Sequence, residues 1–183
     1  MITRIDAKIS KLGRHIAELI VVVTAGSLTA CTAAAPPGPV IRTGAETAAI
    51  SSTVTQPVGY ETIYLSGMTG TLRAPDGSAP GTPGPDSGDT EAQATRALGN
   101  IKIALASKGL GFGDIVMMHA YLAPDPNTGR GDSAGWSRAY SKFFGVADQP
   151  NKPARTSITV VLGSPAAKIE IETIAVRKPA DKR

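Results

Sequence analysis

What this chain has little of removes most of the common chemistries. It holds a single cysteine, Cys31, so it can form no internal disulfide, no thiolate metal cluster and no paired-thiol redox motif. It holds two histidines, His15 and His119, and His15 lies in an N-terminal leader. A histidine-based metal site in the folded part would own one imidazole, so no metal is expected. His119 falls in the apolar strand pattern of residues 115–122 and reads as structural. A Ser-His-Asp triad would have to use it, and no Gly-x-Ser-x-Gly elbow appears. Aromatic residues make up 4% of the chain, and no basic stripe interleaves with them, so nucleic acid is not an expected partner. The net charge of +4 does not argue otherwise, because residues 1–30 carry half of it.

The leader itself reads as an export signal. A basic segment with Arg4, Lys8, Lys11 and Arg14 precedes an apolar run over residues 19–30, too short to span a bilayer as a helix. The run ends in Leu28-Thr29-Ala30-Cys31. Small residues before a cysteine resemble the lipobox of bacterial lipoproteins, whose cysteine is diacylated and becomes the mature N-terminus. The expected organisation is a lipoprotein-type signal peptide over 1–30, a Pro-rich tether over 31–49, a folded domain over 50–177 and a tail over 178–183. Lipidation at Cys31 would anchor an exported protein to a bacterial membrane, facing the periplasm. The alternative is an ordinary signal peptide cut near Ala30 or within residues 33–35.

Periodicity then gives the elements. Residues 50–55 alternate weakly, and residues 61–66 make a better strand that Gly67 stops. Residues 70–89 are rich in Gly, Pro, Ser and Asp and read as a long surface loop. Residues 90–108 form the clearest helix, capped by Asp89 or Thr90, with Ala94, Leu98, Ile101 and Leu105 on one stripe and Gly109 beyond its end. Residues 115–122 are a strand and 123–132 a polar loop. Asp125, Asn127 and Asp132 in that loop raise calcium, but Gly129, Arg130 and Trp136 stand where an EF-hand needs other residues. Residues 133–144 form a second helix burying Trp136, Tyr140, Phe143 and Phe144. Residues 156–162 suit a buried strand, and residues 168–177 alternate, with Ile169, Ile171, Thr173 and Ala175 opposite Glu170, Glu172, Ile174 and Val176. The order ββαβαββ predicts an α+β sandwich: one mixed sheet with two helices on one face. The second face is apolar as well, which predicts burial by another subunit.

Two charged residues stand out. Arg155 opens the first of the two closing strands, where a guanidinium between Pro-Ala and a rigid strand can grip a carboxylate with two bonds. Glu170 sits inside the second, and a carboxylate on a half-buried strand wants a partner or a task. Read from the residues alone, Glu170 and Glu172 suit a solvated strand face better than a site.

The segments YLSG (64–67), QATRALGNI (93–101), GDIV (113–116), YSKFF (140–144), PAR (153–155) and IEIETIAVR (169–177), in that order, resemble the Rid (YjgF) family of enamine/imine deaminases. The resemblance implies a chorismate-mutase-like α+β domain assembled as a homotrimer, with ligand clefts between neighbouring subunits. It implies that Arg155 binds a substrate carboxylate and that Glu170 positions the hydrolytic water, both as catalytic residues. Ser66, Gly67 and Ser157 would line the pocket. Thr53 stands where the family often has tyrosine, Ser137 where it often has asparagine, and Met68 where it commonly has glutamine. The implied reaction turns 2-imino or 2-enamino acids into 2-keto acids and ammonia, with no cofactor. The alternatives are a non-catalytic module of the same fold that binds small carboxylic acids, and a structural trimer displaying its loops at the envelope.

Overall fold

Alternation in the last strand organises the sheet. A computed structural model describes residue 35, residues 37–71 and residues 87–180. The leader, Cys31 and most of the loop expected over 70–89 lie outside the described residues. The strands are β1 (Ile41–Thr43), β2 (Thr53–Thr55), β3 (Glu61–Thr69), β4 (Ile115–Leu122), β5 (Ala154–Thr159) and β6 (Ile169–Arg177). The helices are α1 (Thr90–Ala106) and α2 (Ser133–Tyr140), and a short 3-10 turn at Phe112–Asp114 leads into β4. Strands β3, β6, β4 and β5 form one sheet in that spatial order. Strand β6 runs antiparallel to both its neighbours, while β4 and β5 are parallel, joined by a crossover that contains α2. This is the expected α+β architecture with a mixed sheet.

Burial follows the alternation. Ile169, Ile171, Thr173 and Ala175 of β6 are buried, and Glu170, Glu172 and Ile174 are only partly covered. The buried face joins Leu65, Met118, Ala120 and Leu122 to Ala94, Leu98, Ile101 and Leu105 of α1 and to Trp136, Ala139 and Tyr140 of α2. Leu98, Ile101 and Leu105 are fully buried, each contributing about 1.5–3 kcal/mol through loss of apolar surface to water. Asp89 caps α1 by accepting the Ala92 N–H at 2.8 Å. Gly109 takes the left-handed conformation expected beyond the helix, with φ +69°.

Four details differ from expectation. The first strand does not join the main sheet. It pairs instead with β1, which lies in the segment read as a tether. Arg42 of β1 fastens that ladder to the domain by donating to the carbonyls of Gly113 and Ile115. Strand β3 does not stop at Gly67, because a bulge between Leu65 and Met68 absorbs the break and pairing resumes to Thr69. Helix α2 ends at Tyr140, and Phe143 and Phe144 follow in turns that still reach the core. Strand β5 spans 154–159 and is mostly exposed, not buried, because it is the sheet edge and pairs only with β4. Ile158 and Val161 are therefore 48% and 84% exposed, and Tyr64 on β3 is 76% exposed. Among the described residues no helix is long and apolar enough to cross a membrane.

Candidate active site

The two residues that the sequence singled out occupy opposite faces of the sheet. Residues paired across neighbouring strands share a face. Arg155 pairs with Met118, which is buried on the helix side. Glu170 pairs with Tyr121, which lies on the open side with His119. The two are separated by two strand spacings and three register positions, roughly 10 Å across the sheet and 10 Å along it. One chain does not bring them together.

The Arg155 half-site is built on an aromatic platform. Its Cζ lies 4.2 Å from the Tyr140 ring centroid and 5.2 Å from that of Trp136. Tyr140 stacks in turn on Phe144 at 4.5 Å. Trp136 and Tyr140 are one helical turn apart on α2, so both rings reach the same spot on the sheet. Asp132 fixes the start of that helix by accepting the Gly135 N–H at 2.8 Å. Burial pulls the pKa of Arg155 down, opposed by Tyr140, yet a guanidinium starts so high that it stays charged. Burial pushes the Tyr140 hydroxyl up to about 12, so it is a neutral donor at any physiological pH. Arg155 Nη1 and the Tyr140 hydroxyl are both buried without a hydrogen-bond partner. Beside them, Ser157 lies exposed on the same side of β5 and accepts the Trp136 Nε1–H at 3.1 Å. The whole arrangement is a cation held in place with no carboxylate partner among the described residues.

The Glu170 half-site is built on the β3 bulge. A Cβ on Gly67 would stand 2.0 Å from Glu170 Oε1, so the carboxylate rests directly on the glycine. Ser66 sits exposed beside it in the same bulge. Glu172, next on this face, accepts the Tyr121 hydroxyl at 2.9 Å and lies 3.5 Å from His119 Nδ1. That hydrogen bond, followed by burial, raises the Tyr121 pKa.

The profile of the family described as Endoribonuclease L-PSP matches residues 48–177. This chain belongs to that family, the Rid (YjgF) family.

Its Rid relatives include a protein of Escherichia coli strain K12 named 2-iminobutanoate/2-iminopropanoate deaminase. The two are 34% identical over 118 residues, which cover 63% of this chain and 88% of the relative. A RutC family protein of Haemophilus influenzae is 37% identical over 90 residues, covering 49% of this chain and 65% of the relative. The match thus spans less than two thirds of that relative, and 61% of Protein DfrA of Myxococcus xanthus. Among solved structures, the Rid protein YyfB from Yersinia pestis shares the fold, with a TM-score of 0.54 at 21% identity over 74% of this chain and 97% of that one. A structure from Vibrio vulnificus gives a TM-score of 0.50 at 31% identity, covering 66% of this chain and 84% of that one.

In this Rid chain the other expected pocket residues divide between the two half-sites or stand apart. Ser157 belongs with Arg155, and Ser66 and Gly67 belong with Glu170. Thr53 lies in the separate β1–β2 ladder, its hydroxyl 2.6 Å from that of Thr43. Ser137 is exposed on α2, and the side chains that stack on Arg155 are its neighbours Trp136 and Tyr140. Those two aromatics were read as core alone. An aromatic pair four residues apart, ahead of an arginine-led strand, is the signal that points to them. The loop carboxylates Asp125 and Asp132 are used in a turn and a helix cap, and no metal-ligating cluster exists among the described residues.

Proposed function

We propose that this Rid-family chain hydrolyses reactive 2-imino or 2-enamino acids to 2-keto acids and ammonia, as a homotrimer whose clefts lie between neighbouring copies. The observation that carries this reading is the desolvated, platform-bound Arg155, which has no carboxylate partner among the described residues. The family relationship and the deaminase names of relatives supply the reaction class.

The chemistry needs little more than placement. Arg155 grips the substrate carboxylate and so fixes the neighbouring C=N carbon, and orientation of this kind supplies much of a rate enhancement. Glu170 of a second copy orients a water toward that carbon. The water oxygen bonds to carbon, the C=N π pair moves onto the protonated nitrogen, and a water proton passes toward Glu170. Proton return to nitrogen then lets the C–N bond break, releasing ammonia and leaving the keto group. Orienting the water is the larger task of Glu170, since placement supplies most of what this reaction needs.

A second reading, a carboxylate-binding module without turnover, is favoured by one observation. Thr53 replaces a tyrosine common in active relatives and turns its hydroxyl to Thr43. One assay separates the two. Imino acids generated in situ by an amino-acid oxidase are presented to the protein, with ammonia release and 2-ketobutyrate binding measured together. Turnover that vanishes in Arg155→Ala, and is not restored in Arg155→Lys, supports the enzyme. Binding through Arg155 without turnover supports the module. Turnover retained in Arg155→Ala would overturn the site.

A further inference from the structure

Trp136 touches both ligand-facing groups of the arginine half-site at once. Its ring lies beside the Arg155 guanidinium, 5.2 Å from centroid to Cζ, and its indole N–H is given to Ser157 Oγ at 3.1 Å. Arg155 and Ser157 are alternate residues of one strand, so they project to the same side roughly 7 Å apart. A rigid indole with two rotatable bonds is long enough to bridge that gap. It is itself held, being 1% exposed and packed edge-on to Tyr140 at 5.5 Å.

Resting on the reading of Arg155 as a carboxylate clamp, we propose that Trp136 is a positioning residue that turns Ser157 into a second donor for that carboxylate. A serine hydroxyl has one proton and two lone pairs. The indole N–H occupies an acceptor position on Oγ, which leaves the hydroxyl proton turned away from the indole, toward the solvent to which Ser157 is exposed. The rotor of a free serine is thereby replaced by an aimed donor. The carboxylate then meets three donors in a fixed arrangement, two from the guanidinium and one from the hydroxyl. The ligand class that fits is a small 2-keto or 2-imino acid whose carboxylate reaches β5 from the sheet edge.

The chain has one tryptophan, so its emission reports on this contact alone. The experiment titrates 2-ketobutyrate into the intact protein and into Trp136→Phe, Ser157→Ala and the double variant, by calorimetry, with tryptophan emission where the residue remains. Trp136→Phe keeps an aromatic ring by Arg155 and removes the N–H together with part of a buried ring, so its melting temperature is measured beside its affinity. Each single variant is expected to bind about ten- to hundredfold more weakly, the loss of one hydrogen bond to a charged ligand, with KM raised and kcat little changed. The double variant is expected to be no worse than either single one. Ser157→Ala should also shift the wild-type emission before ligand is added, which keeps the test open if Trp136→Phe does not fold. A merely structural tryptophan would lower the melting temperature and leave affinity alone. Unchanged affinity in Trp136→Phe, losses that multiply in the double variant, or unaltered emission in Ser157→Ala would overturn the role of Trp136. Wild-type protein with no affinity for 2-ketobutyrate would instead overturn the carboxylate clamp on which it rests.

Discussion

Replacing Gly67 by alanine should silence the site while leaving the fold intact. The backbone there is outside the left-handed region, so an alanine can adopt it without strain. The added Cβ, however, would stand 2.0 Å from Glu170 Oε1, 2.9 Å from Cδ and 3.0 Å from Cγ. Cβ contacts below 3.0 Å essentially do not occur, so the carboxylate must move by about 1 Å or more. The clashing atoms are the far end of a flexible side chain, which can swing aside at little cost. Loss of chain freedom in the unfolded state even favours alanine over glycine, by about 0.4–1 kcal/mol. The melting temperature should therefore stay within about 4 °C of wild type. Activity should not, because a misplacement of this size can cost about a hundredfold in rate. Ammonia release from in-situ imino acids, measured beside thermal melting and 2-ketobutyrate affinity, reads all three. The expected pattern is lost turnover, retained affinity through Arg155 and an unchanged melt. Full turnover at an unchanged melting temperature would refute the reasoning, since Glu170 would then have moved without consequence. A collapse in melting temperature would show that the glycine serves the bulge and not the carboxylate.

Three further outcomes are expected. Light scattering on residues 37–180 should give three times the monomer mass, and Tyr64→Asp or Ile158→Asp, placed on the exposed side of the sheet, should return a monomer. Glu91 has its pKa lowered by hydrogen bonds from Lys142 and then Arg138. Its folded form holds the proton less tightly, so the stabilisation is present above pH 4.5 and lost on acidification below it; Glu91→Gln should flatten the fall in melting temperature over that acid range. Cys31→Ala should release the full-length protein from membranes or block its maturation, and a mature N-terminus without lipid mass would refute acylation.

The sequence made some parts of this fold legible and hid others for physical reasons. Strand β4 runs over residues 115–122, as its apolar pattern predicts, and α1 starts where Asp89 can cap it. Both are encoded by local periodicity. Strand β5 is offset because its limits are set by its partner: pairing begins opposite Met117 and stops where β4 stops, at Leu122 opposite Thr159. Strand β1 has three residues and no alternation, and it is held by pairing with β2 and by the distant carbonyls of Gly113 and Ile115, none of which a local pattern records. Arg155 and Glu170 were singled out from PAR and IEIE as the candidate site residues. That they face apart was not legible, because it depends on the parity of register across two strand pairs, which no linear motif records. Trp136 was legible as a buried aromatic, but its partners lie some twenty residues on, across a crossover.

The opposed faces of Arg155 and Glu170 have a genetic consequence. A proposed site that takes its arginine from one copy and its glutamate from another belongs to no single polypeptide. Two inactive alleles can then complement. An Arg155→Ala chain still offers an intact Glu170, and a Glu170→Gln chain still offers an intact Arg155. Refolded together at equal concentration, the two dead proteins would rebuild the wild-type pairing at about a quarter of their shared clefts. Activity would emerge from mixing alone, and would fade on dilution as the assembly came apart.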